Sequence, residues 1–197
     1  KDGSVFKDAI DALMASDFVE KYVPFGKGCR ETYYKLTDPF CLFYFHFLHG
    51  KTCLDEDFWQ KNQNSQSVNV WRGFAFENLC FHHIAQIKRA LEIGGVSSKQ
   101  SAWIKHADDS QTGTQIDLII ERRDRVINLC EMKFSINTFT IDKQYDAELR
   151  NKIQVFQTET HCKYGIHLTM LTTYGITPNA YANHVQSSLT MDVLFGE

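Results

Sequence analysis

The sequence predicts an α/β protein built on a mixed β-sheet with flanking helices. Three observations carry that expectation. A run from about 70 to 92 places Phe76, Leu79, Cys80, Ile84, Ile87 and Leu91 at helical spacing. Two apolar, β-branched runs, 115–121 and 126–133, are joined by the short polar turn Arg122-Arg123-Asp124-Arg125 and read as a hairpin. One more helical stretch and two more apolar runs close the chain, which gives the order helix, three strands, helix, strand, strand.

Taken in order, the first element is a helix from Ser4 to Ser16, with Ser4 as its cap and Val5, Ile10, Leu13 and Met14 at near-helical spacing. Its polar side carries Asp8, Asp11 and Asp17 against Lys7. So acidic a helix would be repelled by phosphates, which leaves it a packing role. The runs 18–25 and 32–36 flank a glycine-bearing turn, Gly26 to Glu31, and read as a hairpin. Helix plus hairpin resembles the second half of a winged helix, too small to stand alone and therefore expected to lean on elements downstream in the chain.

Thr37-Asp38-Pro39 is a helix start, with Asp38 or Thr37 as cap and Pro39 in the first turn, leading into the aromatic helix Phe40–His49 that Gly50 stops. The polar stretch Gln60 to Ser67 has loop composition, so the expected organisation is an appendage over 1–50, a linker over 51–66 and a main domain over 67–197. In that domain the long helix runs from Val70 to Glu92 and Gly94-Gly95 ends it. Strands come next at 101–105, 115–121 and 126–133, then a helix over 142–157 with Ala147, Leu149, Ile153 and Phe156 as its apolar side. Strands at 164–173 and 189–195 complete the sheet.

The 197 residues, 43% hydrophobic and 13% aromatic, suffice for one good core with a small appendage. A net charge of −3 supplies no diffuse positive field, so any nucleic-acid contact must be local. Six scattered cysteines without a C-x-x-C pair read as reduced thiols, and with no signal peptide and no long apolar run the expected location is the cytoplasm. The first residue is Lys1, and the chain reads as a piece of a longer polypeptide.

The chemistry concentrates between Gln115 and Lys133. Asp117 is a carboxylate on an otherwise aliphatic strand, and Glu131 and Lys133 stand two apart on the next strand, hence on one face. The hairpin can bring Asp117 beside them. Two carboxylates and a backbone carbonyl suit a hard divalent ion, and a neighbouring lysine suits the charge that develops in phosphodiester hydrolysis.

Asp117, then Glu131-Met132-Lys133, resembles the D…(D/E)-x-K signature of the PD-(D/E)xK nuclease superfamily, whose restriction-endonuclease-like sheet would be the fold class here. That superfamily often carries a further glutamate on the preceding helix, and Glu77 matches it. The resemblance implies Glu77, Asp117, Glu131 and the Met132 carbonyl as ligands of Mg²⁺ or Mn²⁺, and Lys133, with Glu131 and Asp117, as the catalytic set. Ile116 stands where the motif name has proline.

Tyr34 to Phe40, Gly73 to Glu77 and the 115–133 hairpin together resemble the C-terminal region of prokaryotic AAA+-type ATPases, in which a P-loop module precedes a winged helix and a PD-(D/E)xK-like domain. No G-x-x-x-x-G-K-[ST] occurs, so no ATPase activity is expected of this chain alone, and the ATP-binding module would lie upstream. The expected function is a metal-dependent nuclease-like domain acting on DNA. The alternative is a catalytically inactive nuclease-fold module that binds nucleic acid or protein under control of that ATPase. A third reading, an oligomerisation domain, would expose the Phe40 to Leu48 aromatics.

Other clusters read less sharply. Cys41, His46, His49 and Cys53 are ligand types, but their spacing matches no usual zinc module, and packing is preferred. His82 and His83 read as helix-surface or core residues. Arg122, Arg123 and Arg125, with Lys143, Arg150 and Lys152, are candidates for phosphate contacts near the site, against a solvated turn and a Glu148–Lys152 helix pair.

Overall fold

A computed structural model describes residues 2–28, 30–50, 56–107 and 113–196. Helix α1, Asp2–Ala15, leads into strands β1, Val19–Tyr22, and β2, Tyr33–Leu36, which pair antiparallel with Val19 opposite Leu36. Cys29 and Cys53 lie outside the described residues.

Helix α2, Pro39–Phe43, starts as its sequence requires: the Asp38 carboxylate accepts the Cys41 N–H at 2.6 Å and Pro39 occupies the first turn. One π-helical turn, Tyr44–Leu48, extends it. The polar stretch expected to be loop holds the end of a short helix, α3, Phe58–Asn62, and the start of α4, Gln66–His82. Ser65 caps α4 by accepting from Val68 N–H, which moves the start of the long helix four residues earlier than the apolar pattern alone suggests.

That helix is also broken. His83 leaves helical geometry, its Nδ1–H donates to the Leu79 carbonyl at 2.8 Å, and α5, Ile84–Ala90, begins after it. The left-handed turn beyond α5 falls on Glu92 (φ 58°), so the two glycines are not what ends it.

Strands β3, Ser98–Lys105, β4, Thr114–Arg122, β5, Val126–Lys133, β6, Gly165–Thr172, and β7, Ser187–Thr190, form one sheet in that spatial order. The first three are antiparallel neighbours; β5, β6 and β7 run parallel, with α6, Lys143–Thr160, joining β5 to β6. The result is a mixed α/β architecture with a five-stranded sheet flanked by helices. The last expected strand, 189–195, stops at Thr190 and becomes a 3-10 turn, Met191–Phe195. Met191, Val193 and Leu194 all reach the same core cluster, which a period-two strand cannot arrange.

The sheet buries both faces. Leu118, Ile120, Cys130, Met132 and Leu171 pack with Phe76, Cys80 and Ile87 of α4 and α5, while Ile119, Ile127, Leu129, Leu168 and Met170 pack with Leu149 and Phe156 of α6. Ala147, expected on that apolar side, is exposed. The appendage leans on this core: Phe25 N–H donates to the Ala102 carbonyl at 2.8 Å, its ring lies 5.0 Å from that of Phe156, and Asn78 and His82 of α4 reach the Thr37 carbonyl. No helix among the described residues is long and apolar enough to cross a membrane.

Candidate functional site

Strand β5 lies at the centre of the sheet, and six of its eight residues are buried, from Ile127 to Met132. Glu131 is one of them, only 1% exposed. A carboxylate so placed requires partners, since an unpaired buried charge costs several kcal/mol. Helix α6 supplies most of them. Lys152 Nζ lies 2.9 Å from both Glu131 oxygens, and the Tyr145 hydroxyl donates to Oε1 at 3.1 Å. Lys133 Nζ, from the same strand, lies 3.3 Å from Oε1 and 5.5 Å from the Tyr145 ring centre. Burial and the adjacent Glu131 together push the Tyr145 phenol far above its ordinary range.

Asp117 comes from a break in the sheet's regularity. Between Ser101–Ile119 and Trp103–Ile116 the register of β3 and β4 shifts, so Asp117 and Leu118 together stand across from Ala102 as a β-bulge. The same point ends the β4–β5 ladder, whose last described pair on that side is Leu118–Cys130. Glu131 and Lys133 thus lie just past the point where β4 separates from β5. A bulge re-aims side chains locally, and here it frees Asp117 from strict alternation. Gln115 Nε2 donates to Asp117 Oδ1 at 2.5 Å.

Glu77 projects from α4 into the same electric field. Its carboxyl is pushed up to about 7, chiefly by burial and then by Asp117, with Glu131 adding to the rise and Lys35 and Lys133 opposing it. Lys35 in turn is lowered by burial, against the pull of Glu77, Asp117 and Glu20. A folded-state value above the ordinary 4.5 means that the native protein holds this proton more tightly than the unfolded chain. Stability therefore falls as pH rises from about 4.5 through about 7. In metal-free buffer, Glu77→Gln is expected to remove about 1–2 kcal/mol of that fall, after allowance for solvent screening. Denaturant midpoints of both proteins at pH 5 and pH 8 check this; identical pH slopes would refute it.

The four charged side chains among the five site residues expected from sequence thus share one electrostatic neighbourhood, Glu131 and Lys133 in direct contact. By chemistry three carboxylates and a strand carbonyl suit a hard divalent ion. Their spacing does not close around one: among the described residues no three His, Cys, Asp or Glu side chains are grouped to hold a metal.

Other expectations are corrected. Lys152 pairs with Glu131 rather than Glu148, which accepts from Gln144 instead. Arg150 pairs with the buried Asp146. Arg122, Arg123 and Arg125 precede β5, whereas Lys133 ends it, so the arginine turn lies roughly 20–25 Å from the site at about 3.3 Å per residue. A phosphate held at Lys133 is out of reach of that turn. Among the histidines, His46 Nε2 lies 3.2 Å from Ser67 Oγ.

Tyr145 is the residue that sequence reasoning did not assign to the site, and Lys152, read there as a phosphate contact or the partner of Glu148, was not expected to pair with Glu131. Their spacing on α6 is two helical turns, which puts both on one face, but nothing local indicates that this face meets Glu131. The chain finds no match among family models, curated proteins or solved structures.

Proposed function

We propose that this chain is a metal-dependent phosphodiesterase of PD-(D/E)xK type, acting on nucleic acid, with DNA the first substrate to test. The observation that carries the reading is the placement of Glu131 and Lys133 in contact at the point where bulged Asp117 leaves the β5 ladder, with Glu77 lining the same cleft as Asp117. Glu77, Asp117, Glu131 and the Met132 carbonyl would hold Mg²⁺ or Mn²⁺ once the carboxylates draw together, since their present spacing does not close around an ion. The bound ion would supply Lewis acidity toward the phosphate and a more acidic water. Lys133 would orient the attacking water and meet the charge that builds on the phosphate oxygens, while Lys152 and Tyr145 hold Glu131 in position.

Loading the site requires Glu131 to yield at least one oxygen now engaged by Lys152; Oε2 has Lys152 as its described partner. That same engagement supports a second reading, a nuclease-like module that binds nucleic acid or protein without cleaving. The link to an upstream ATPase rests on sequence resemblance alone. Incubation with Mn²⁺ and labelled single- and double-stranded oligonucleotides separates the readings: chelator-sensitive cleavage that Lys133→Ala removes supports the enzyme, and intact substrate throughout supports the binding module.

A further inference from the structure

A cleft of about 870 Å³ adjoins the carboxylates: Glu77 and Asp117 form part of its lining, and the aromatic side chains Tyr34, Phe40, Trp71, Phe74 and Phe81 form much of the rest. Its walls come from the appendage hairpin and α2 on one side and from α4 and the β3–β4 edge on the other. Phe40 and Phe74 are 68% and 63% exposed, unusual for phenylalanines that sit on structured helices. The cleft is therefore wide and ring-lined, with acids in its wall.

The acids decide what it can hold. The lining carries Glu20, Glu77 and Asp117 against a lysine, Lys35, whose ammonium already sits 3.8 Å over the Phe81 ring. Phosphate groups are repelled from such a wall. Flat neutral groups that donate hydrogen bonds are favoured, because they stack on the rings and give protons to the carboxylates. Asn78 lines the cleft at 2% exposure, its Nδ2 donates to the Thr37 carbonyl, and its Oδ1 is buried without a partner.

We propose that this cleft receives unstacked nucleobases bearing exocyclic amino groups, and hence that the protein engages single strands rather than duplex. The inference rests on reading the adjoining carboxylates and Lys133 as a phosphodiester site, in which Glu131 and Lys133, neither of them in the lining, give the backbone a place at the cleft's margin. Aromatic faces bind bases without regard to sequence, and carboxylate and amide oxygens accept from the amino groups of cytosine and adenine. Thymine has no such amino group. A duplex keeps its base faces stacked inward and offers none to the walls.

The test is fluorescence anisotropy with dye-labelled oligo(dC), oligo(dA) and oligo(dT), and with duplex as competitor, in chelator so that nothing is cleaved. Oligo(dC) and oligo(dA) should bind several-fold more tightly than oligo(dT), duplex should compete poorly, and Phe74→Ala should weaken oligo(dC) binding by about 5- to 100-fold. Phe74 is exposed, and a circular-dichroism melt verifies that the variant folds. Duplex binding as tight as single strand, unchanged binding by Phe74→Ala, or no binding of any oligonucleotide overturns the inference. Metal-dependent cleavage of duplex together with an indifferent Phe74→Ala would overturn it and leave the phosphodiester reading standing. Phe74-dependent single-strand binding without cleavage would support the cleft and remove the enzyme.

Discussion

Lys133→Ala is expected to lower Mn²⁺-dependent cleavage by about 10²- to 10³-fold while the protein remains folded. The size comes from what is removed: one preorganised positive donor at the site where charge develops, typically worth two to three decades in rate. The fold should tolerate the change, because the lysine side chain is 37% exposed and Glu131 retains Lys152 and Tyr145. Arginine at 133 should not restore the rate, since its wide planar fork cannot reproduce a compact ammonium between Glu131 and the Tyr145 ring. Initial rates alongside thermal melts distinguish a chemical loss from an unfolded sample. Parent-like cleavage by Lys133→Ala would remove Lys133 from the mechanism.

Lys152→Met should destabilise the protein by about 2–4 kcal/mol, or lower its melting temperature by about 5–10 °C. Glu131 is 1% exposed and cannot turn to water when its closest cation is lost. Lys133 and the Tyr145 hydroxyl remain, which holds the cost below that of a wholly unpaired buried charge. Removing the charge as well should recover much of it: the double variant Lys152→Met/Glu131→Gln is expected to be more stable than Lys152→Met alone. Urea midpoints of the parent, both single variants and the double variant give the coupling. Additive losses would mean that Lys152 acts independently of Glu131.

The sheet was readable from the chain because its central strands are simple. Two apolar runs joined by Arg122 to Arg125 could form little other than a hairpin, and the helix between β5 and β6 is long enough to be the crossover that their parallel pairing needs. Glu131 and Lys133 were equally readable, since period two places them on one face. What escaped depends on tertiary contacts. The bulge at Asp117 and Leu118 leaves no mark in residue types, the break at His83 is fixed by a side chain returning to its own helix, and Met191 to Phe195 abandons the strand to fill one core cluster. The pairing of Lys152 with Glu131 spans 21 residues and two elements, so its competitor Glu148, one turn away, was the natural local choice. The arginine turn shows the opposite error: residues near Lys133 in sequence lie at the far end of the same strand.

A site of this kind turns on whether Glu131 can leave its lysines for a metal ion. Calorimetric titration of Mn²⁺ into the parent protein and into Asp117→Asn at pH 7.5 measures that directly. The expected result is a saturable site in the parent that is lost or at least tenfold weaker in Asp117→Asn, with both proteins folded. An absence of Mn²⁺ binding to the parent, or equal binding by the two proteins, would contradict it.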